Sequence, residues 1–204
     1  MWRFFMRDHA NHHSFASIKN YSITPLAMQV FAEIERFILR EIMLSDLDGM
    51  FEMDADPEVH KYLGNKPVVS KEQQIGIINF IRQQYADNGV GRWAIIDKNT
   101  NAFVGWVGLK LVTEETNRHI NYLDLGYRLA KKYWGQGIAT ETSIASLQYA
   151  FEKLQAKHVY AMAEIENAAS NKTLCKIGFQ FIEAFDLDGI TINWYRIDAE
   201  NFKK

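Results

Sequence analysis

The sequence predicts one α/β domain, and three observations carry this prediction. The chain has 204 residues, which is long enough for one substantial core. Its hydrophobic content of 48% and charged content of 24% are ordinary for a globular protein. Segments that alternate like strands are interleaved with segments of helical periodicity. The formal net charge of −2 provides no basic field for nucleic acid, so we expect no nucleic-acid partner.

Alternating apolar residues and capping residues define the elements of the first half. We predict strands over residues 36–42, 93–97 and 103–111, the last two as a hairpin, and a helix over residues 45–53. Ser70 begins a second helix, and Gln73 three residues later completes a capping-box pattern. Gly89 ends that helix.

The second half continues the alternation. A strand is expected over residues 120–129, a helix over 137–154, a strand over 159–165 and a helix over 168–177. Residues 179–185 and 190–197 then predict a closing hairpin about Asp188 and Gly189. We therefore expect one domain over residues 31–204.

Residues 1–30 form an N-terminal extension of uncertain status, of which residues 1–27 are an accessory segment, or Met28 is the true start. Charged residues interrupt the apolar start at once, and no signal-peptide core or membrane-length run follows. We expect no membrane association. His9, His12 and His13 lack a supporting Cys or carboxylate framework, so a solvated tail is preferred to a metal site.

Cys175 is the only cysteine, which excludes an internal disulfide and a thiolate metal cluster. A reducing compartment is thereby permitted, and we expect a cytoplasmic protein. Cys175 sits in an apolar helical run, which favours a structural or half-exposed thiol over a nucleophile.

A glycine-rich loop between a strand and a helix is the most informative segment. Gly135 and Gly137 flank Gln136, and without a Cβ the main chain there can closely approach a diphosphate at a helix N-terminus. A dinucleotide fold would need a third glycine, where this chain has Thr140, and no Walker-type Gly-Lys-Ser or Gly-Lys-Thr occurs. We expect a phosphorylated cofactor at this loop.

A second segment, residues 164–181, opens a short helix with an Asn-x-x-Ser element and ends it at Gly-Phe. Together with the loop and the motifs ERFILR at 35–40, DPEVHKYLG at 56–64 and LGYRL at 125–129, it resembles the GNAT N-acetyltransferase superfamily, and within it the ribosomal-protein Nα-acetyltransferase branch. The resemblance covers about residues 34–197. It implies a mixed, mostly antiparallel central sheet with a splayed strand pair and helices on both faces.

The resemblance also implies that the activity is transfer of an acetyl group from acetyl-CoA to a primary amine, without a metal. It places the CoA diphosphate on the loop amides and the pantetheine arm near Asn167. Lys172 is the candidate for the 3′-phosphate, and the alternative is a solvated lysine on the helix surface. Lys132 stands where the superfamily has Gln or Arg. The cofactor-binding residues expected are Leu129, Lys132, Tyr133, Trp134, Gly135, Gln136, Gly137, Ile138, Ala139, Thr140, Asn167 and Lys172.

The catalytic residues follow from the same resemblance. Asp124 occupies the place where the branch usually has a Glu base, and the alternative is an ordinary strand carboxylate paired with Arg118 or Arg128. The backbone N–H of Leu129, or that of its neighbour in the splayed strand, would stabilise the oxyanion. The tyrosine that serves many members as general acid is Leu174 here, so Ser170 or a water held by Asn167 would substitute. Glu164 is a third carboxylate near the site, with an exposed strand-end role as its alternative.

Two function classes stay open at this level. The first is the N-acetyltransferase, and the second is a non-catalytic acyl-CoA-binding or sensing module on the same fold. The acceptor also stays open among a peptide N-terminus, a polyamine, an amino acid and an antibiotic amine. The chain gives no preference between a monomer and a dimer.

Overall fold

A computed structural model describes residues 28–203 and shows an eight-stranded sheet. The strands are β1 (Val30–Glu33), β2 (Phe37–Glu41), β3 (Arg92–Asp97), β4 (Phe103–Val112), β5 (Tyr122–Leu129), β6 (His158–Glu164), β7 (Gln180–Leu187) and β8 (Ile190–Asp198). They lie in the order β1-β2-β3-β4-β5-β6-β8-β7. Every neighbouring pair is antiparallel except β5 and β6, which are parallel. The sheet is thus mixed and mostly antiparallel.

In the described part of the chain, five α-helices accompany the sheet, together with three short 3-10 turns. The helices are α1 (Leu47–Asp54), α2 (Pro57–His60), α3 (Lys71–Asn88), α4 (Ile138–Glu152) and α5 (Ala168–Lys176). The 3-10 turns are Leu44–Asp46, Lys131–Tyr133 and Ala199–Asn201. Within residues 28–203, no helix is both long and apolar enough to cross a membrane.

The core lies on both sides of the sheet. On one face, α1 and α3 bury Met50 and Ile78 against Trp106 of β4. On the other face, Leu147 of α4 and Leu174 of α5 pack against strand residues such as Leu125. Alternate strand residues therefore point to opposite layers, and the predicted placement of helices on both faces is confirmed.

The splayed strand pair lies between β5 and β6. These strands are paired at two positions, Asp124 with Tyr160 and Leu125 with Ala161. Beyond Leu125, the remainder of β5 stays paired with β4 but has no partner on β6. The sheet consequently opens at the end of β5, just before the chain enters the glycine loop. The expected splay is confirmed.

The capping signals are reproduced in part. The Ser70 hydroxyl accepts a hydrogen bond from the Gln73 N–H at 3.3 Å, as the capping box requires. The Gln73 side chain instead accepts from the N–H of Val69, one residue before the cap. Gly89 ends α3 in the left-handed conformation with φ +66°, as predicted.

The start of the described chain differs from the predicted domain start. Strand β1 begins at Val30, one residue before the predicted domain start, and it was not anticipated. The predicted accessory segment over residues 1–27 lies outside the described residues. The histidines at 9, 12 and 13 lie there too.

Candidate active site

The glycine loop connects the open end of β5 to helix α4. Gly135 and Gly137 have φ of +75° and +76°, in the region that favours glycine. A Cβ at either position would meet no atom within 4 Å, so the backbone angle and not crowding selects glycine. Gly137 is the N-cap of α4 and provides no side-chain cap, which leaves the first-turn N–H groups directed at the loop. This geometry suits an anion.

Side chains of the loop region make their own contacts. The Gln136 amide donates to the Lys132 carbonyl at 3.1 Å, and the Trp134 indole donates to the Leu129 carbonyl at 2.9 Å. The Lys132 ammonium donates to Glu52 of α1 at 2.9 Å, and this hydrogen bond raises the pKa of Lys132. The predicted phosphate-side lysine is therefore held by a carboxylate.

A pocket of about 380 Å³ lies between α1 and the start of the loop. It is lined by Glu52, Met53, Asp56, Ala130, Lys131 and Lys132. Lys131 approaches Glu58 at 3.8 Å, so both lysines of the loop face acidic residues from the α1–α2 region. The pocket wall thus pairs charges of both signs.

Arg36, at the entrance to β2, contacts the loop from the neighbouring layer. Its Nη2 donates to the Gln136 carbonyl at 3.0 Å and to the Glu141 carboxylate at 2.7 Å. Sequence reasoning missed this residue, because about a hundred positions separate it from its partners and no local pattern connects them.

The Asn-x-x-Ser element lies at the start of α5 and is tied to β5. The Asn167 Oδ1 caps the helix by accepting from the Ser170 N–H at 3.1 Å. The Ser170 hydroxyl lies 3.0 Å from the phenol oxygen of Tyr127, which projects from the unpaired part of β5. Burial raises the pKa of Tyr127, so its phenol stays protonated. The expected residue Ser170 therefore has a partner that the sequence did not suggest.

Asn171 connects three elements at the same place. Its side-chain nitrogen donates to the carbonyl of Glu164 at the end of β6, and its Oδ1 accepts from Asn193 and Tyr195 of β8. Sequence reasoning did not single it out. It fixes the start of α5 relative to the strands.

Asp124 lies deep in the sheet, with 2% of its surface exposed. Its Oδ2 accepts from the guanidinium of Arg92 on β3. Sequence reasoning expected Arg118 or Arg128 as the alternative partner, and this was wrong. Arg118 instead pairs with Glu183, and Arg128 pairs with Asp54. Both are near Asp124 in sequence, whereas the true partner comes from two strands away.

The Arg128–Asp54 pair anchors the splayed strand to helix α1. Their contact is 2.6 Å, Gln74 of α3 donates to Asp54 at 3.2 Å, and all three side chains are nearly inaccessible. Burial of Asp54 opposes its ionisation, but the charge of Arg128 and hydrogen bonds outweigh it, so the pKa of Asp54 lies below its ordinary value.

The remaining predicted residues are placed as follows. Leu174 is 1% exposed in the core, so it takes no part in proton transfer. Lys172 is exposed on α5, and Leu129 is buried at the end of β5. Glu164 is half-buried, and burial raises its pKa. Among residues 28–203, no group of three or more His, Cys, Asp or Glu side chains is arranged to hold a metal ion.

Comparison with known proteins identifies the family. A model of the acetyltransferase (GNAT) domain matches residues 36–180. The chain belongs to the GNAT acetyltransferase family. This acetyltransferase is 32% identical over 146 residues to an uncharacterized N-acetyltransferase, p20, of Bacillus licheniformis. The aligned region covers 72% of this chain and 80% of that relative.

Solved structures share the fold of this acetyltransferase. The ribosomal-protein-S5-alanine acetyltransferase of Vibrio fischeri has a TM-score of 0.67 and 18% identity, covering 85% of this chain and 98% of that one. The spermidine N-acetyltransferase of Vibrio cholerae, solved with CoA and spermine, has a TM-score of 0.66 and 19% identity. That match covers 81% of this chain and 97% of the Vibrio cholerae protein. The two score almost equally although their names give different acceptors, so the fold does not choose between them.

Proposed function

We propose that this GNAT acetyltransferase moves an acetyl group from acetyl-CoA to a primary amine. One observation carries the proposal: the unpaired end of β5 runs directly into a loop whose helix, α4, begins without a side-chain cap. An opening in a sheet suits an extended arm, and an uncapped helix N-terminus suits a diphosphate. The CoA complex of the Vibrio cholerae neighbour supports this assignment.

The residues present fit such a ligand. The loop amides from Tyr133 to Ala139 would receive the diphosphate, and Thr140 in the first turn of α4 adds a hydroxyl. Lys132 would exchange Glu52 for a phosphate oxygen. Because the Oδ1 of Asn167 is used as a helix cap, we assign the pantetheine contact to its side-chain nitrogen.

Asp124 is the proposed proton acceptor. An attacking amine must be neutral, yet an α-amine has a pKa of about 7.7–8.0 and a lysine about 10.4. Arg92 occupies the Oδ2 of Asp124, while the Oδ1 is buried and accepts no hydrogen bond from the described residues. That oxygen would take the amine proton, through a water because the carboxylate is buried.

The thioester supplies an activated acetyl carbonyl, and a new C–N bond replaces its C–S bond. The N–H of Leu129 would donate to the carbonyl oxygen as negative charge develops there. Ser170 would pass a proton to the departing sulfur as it takes one from the phenol of Tyr127, and the phenol regains its proton from solvent as Asp124 releases the amine proton to solvent. Ser170 and Tyr127 would thereby replace the general-acid tyrosine that this chain lacks at Leu174.

The acceptor class is the part that needs measurement. We propose to follow thiol release from acetyl-CoA with peptides carrying free N-termini, polyamines, amino acids and aminoglycosides, and to measure CoA binding by calorimetry in parallel. Rapid release with one class is expected and would name the substrate. Binding without release for every amine would favour a sensing module, and an absence of CoA binding would contradict the proposal.

A further inference from the structure

The carboxylate of Glu141 lies in the first turn of α4, the same turn that would face the diphosphate. A carboxylate near a helix N-terminus competes with an anionic ligand, because like charges repel and both seek the same N–H groups. The site therefore contains a residue that works against its own ligand unless that charge is balanced.

Arg36 balances it. The guanidinium contacts Glu141 with two nitrogens, Nη2 at 2.7 Å and Nε at 3.2 Å to the same carboxylate oxygen. The two side chains are 41% and 35% exposed, so the pair lies at the rim of the loop and not in the core. The Nε also lies 3.3 Å from the other carboxylate oxygen, and a guanidinium that contacts both oxygens holds its partner in one orientation.

The same guanidinium also fixes the loop. Its Nη2 donates to the carbonyl of Gln136, the residue between the two glycines. Because glycines on both sides give the main chain unusual freedom, a fixed carbonyl between them limits the directions that the neighbouring amides can take. The side chain of Gln136 is held as well, through the Lys132 carbonyl.

We infer that Arg36 is a positioning residue for the diphosphate of acetyl-CoA, acting by neutralising Glu141 and by holding the Gln136 carbonyl. The inference rests on the proposed function. It assigns to the motif ERFILR, a hundred residues away from the loop in sequence, a role in cofactor affinity and not in the transfer step.

The test compares acetyl-CoA with a short acetyl thioester that lacks phosphate, S-acetyl-N-acetylcysteamine. Arg36→Ala should raise Kd for CoA and KM for acetyl-CoA by about tenfold or more, with kcat nearly unchanged, since loss of a charge-assisted contact is typically felt at this level. Turnover of the short thioester should not change. Arg36→Lys should recover part of the affinity, and Glu141→Gln in the Arg36→Ala background should recover another part.

Lys98→Ala is the matched control. Lys98 also pairs with a carboxylate, Glu33 at 2.8 Å, and also donates to a main-chain carbonyl, that of Ile34, close to Arg36. Its removal should change neither the KM for acetyl-CoA nor the turnover of the short thioester. The inference would be overturned if Arg36→Ala lowered kcat/KM equally for both thioesters, or if it left the Kd for CoA unchanged. Failure of the unmodified protein to bind CoA would instead contradict the proposed function.

Discussion

Arg92 on β3 and Asp124 on β5 form an ion pair beneath the intervening strand β4. The guanidinium also donates to the carbonyls of Gly108 and Asp124, so it is held by three acceptors in the sheet. The two side chains are 8% and 3% exposed. The arrangement leaves the carboxylate with one satisfied oxygen and one buried oxygen that accepts no hydrogen bond from the described residues, and we propose that the second oxygen accepts the amine proton.

Asp124→Asn should lower kcat by about 10²–10⁴ while CoA affinity of the folded protein is retained, as removal of a general base does. The change also leaves Arg92 without a charged partner, so the free energy of unfolding of Asp124→Asn must be measured alongside its turnover. Arg92→Gln breaks the same pair and keeps the carboxylate, so it should lose far less turnover per folded molecule. Equal turnover by folded Asp124→Asn and by the unmodified protein would remove the base assignment.

Gly126→Ala should destabilise the protein by about 1–3 kcal/mol, measured by denaturant unfolding. A Cβ at Gly126 would lie 2.8 Å from the Nη2 of Arg92, which is enclosed and cannot move aside freely. Gly76→Ala is the matched control, because Gly76 lies in α3 and a Cβ there meets nothing within 4 Å. It should stabilise by up to about 1 kcal/mol. Equal behaviour of the two variants would contradict the packing described for Arg92.

Asp54→Asn should cost about 3–5 kcal/mol at pH 7, because it leaves the buried charge of Arg128 uncompensated. The pKa of Asp54 is lowered in the folded protein, so its contribution is fully present above the unfolded value of about 3.9. It is lost as the pH falls through the folded value. The difference in unfolding free energy between the variant and the unmodified protein should therefore be constant from pH 7 to about pH 4 and shrink from about pH 4 to pH 2, by up to about 1.4 kcal/mol per pH unit.

The control for this series is Asp48→Asn on the same helix. Asp48 is 83% exposed and pairs with the exposed Lys71. Its removal should leave stability unchanged across the range, as is common for surface ion pairs. A constant difference between Asp54→Asn and the unmodified protein down to pH 2 would exclude the proposed linkage.

Ser170→Ala and Tyr127→Phe should each lower kcat with acetyl-CoA, by about a hundredfold at most, because a thiolate needs only modest help to leave. Aryl acetyl thioesters have more acidic thiols, so the deficit should shrink with them. A deficit of the same size for every thioester would indicate that the 3.0 Å contact between Ser170 and Tyr127 serves structure alone.

The features that could be predicted from the sequence are those that depend on neighbouring residues. Alternation, caps and turn residues placed all but two of the α-helices and strands, and the final hairpin turns at Asp188 and Gly189 as expected. The two missed elements are four residues each: β1, and α2, which the Asp56 cap followed by Pro57 could have indicated. Short elements carry too little periodicity to be recognised.

Contacts across the sheet were the part that local rules could not supply. The pairing of Arg92 with Asp124 depends on the registers of β3, β4 and β5 together, and a sequence pattern fixes none of them. The contact between Arg36 and Glu141 likewise joins residues 105 positions apart. The family motifs predicted where in the sequence the site lies, while the partners that give each residue its charge environment came from the fold.

The opening between β5 and β6 also bears on how an inner strand edge is kept from pairing with another chain. An unpaired strand edge invites pairing with another chain, and residues 126–129 expose such an edge toward β6 in the middle of the sheet. This edge is recessed in a wedge that closes at Leu125, with helices on both faces. A strand of another sheet would have to enter between these helices to pair with it, which a recessed edge disfavours. The geometry that we propose for a slender ligand thus also shields this inner strand edge from pairing with another sheet.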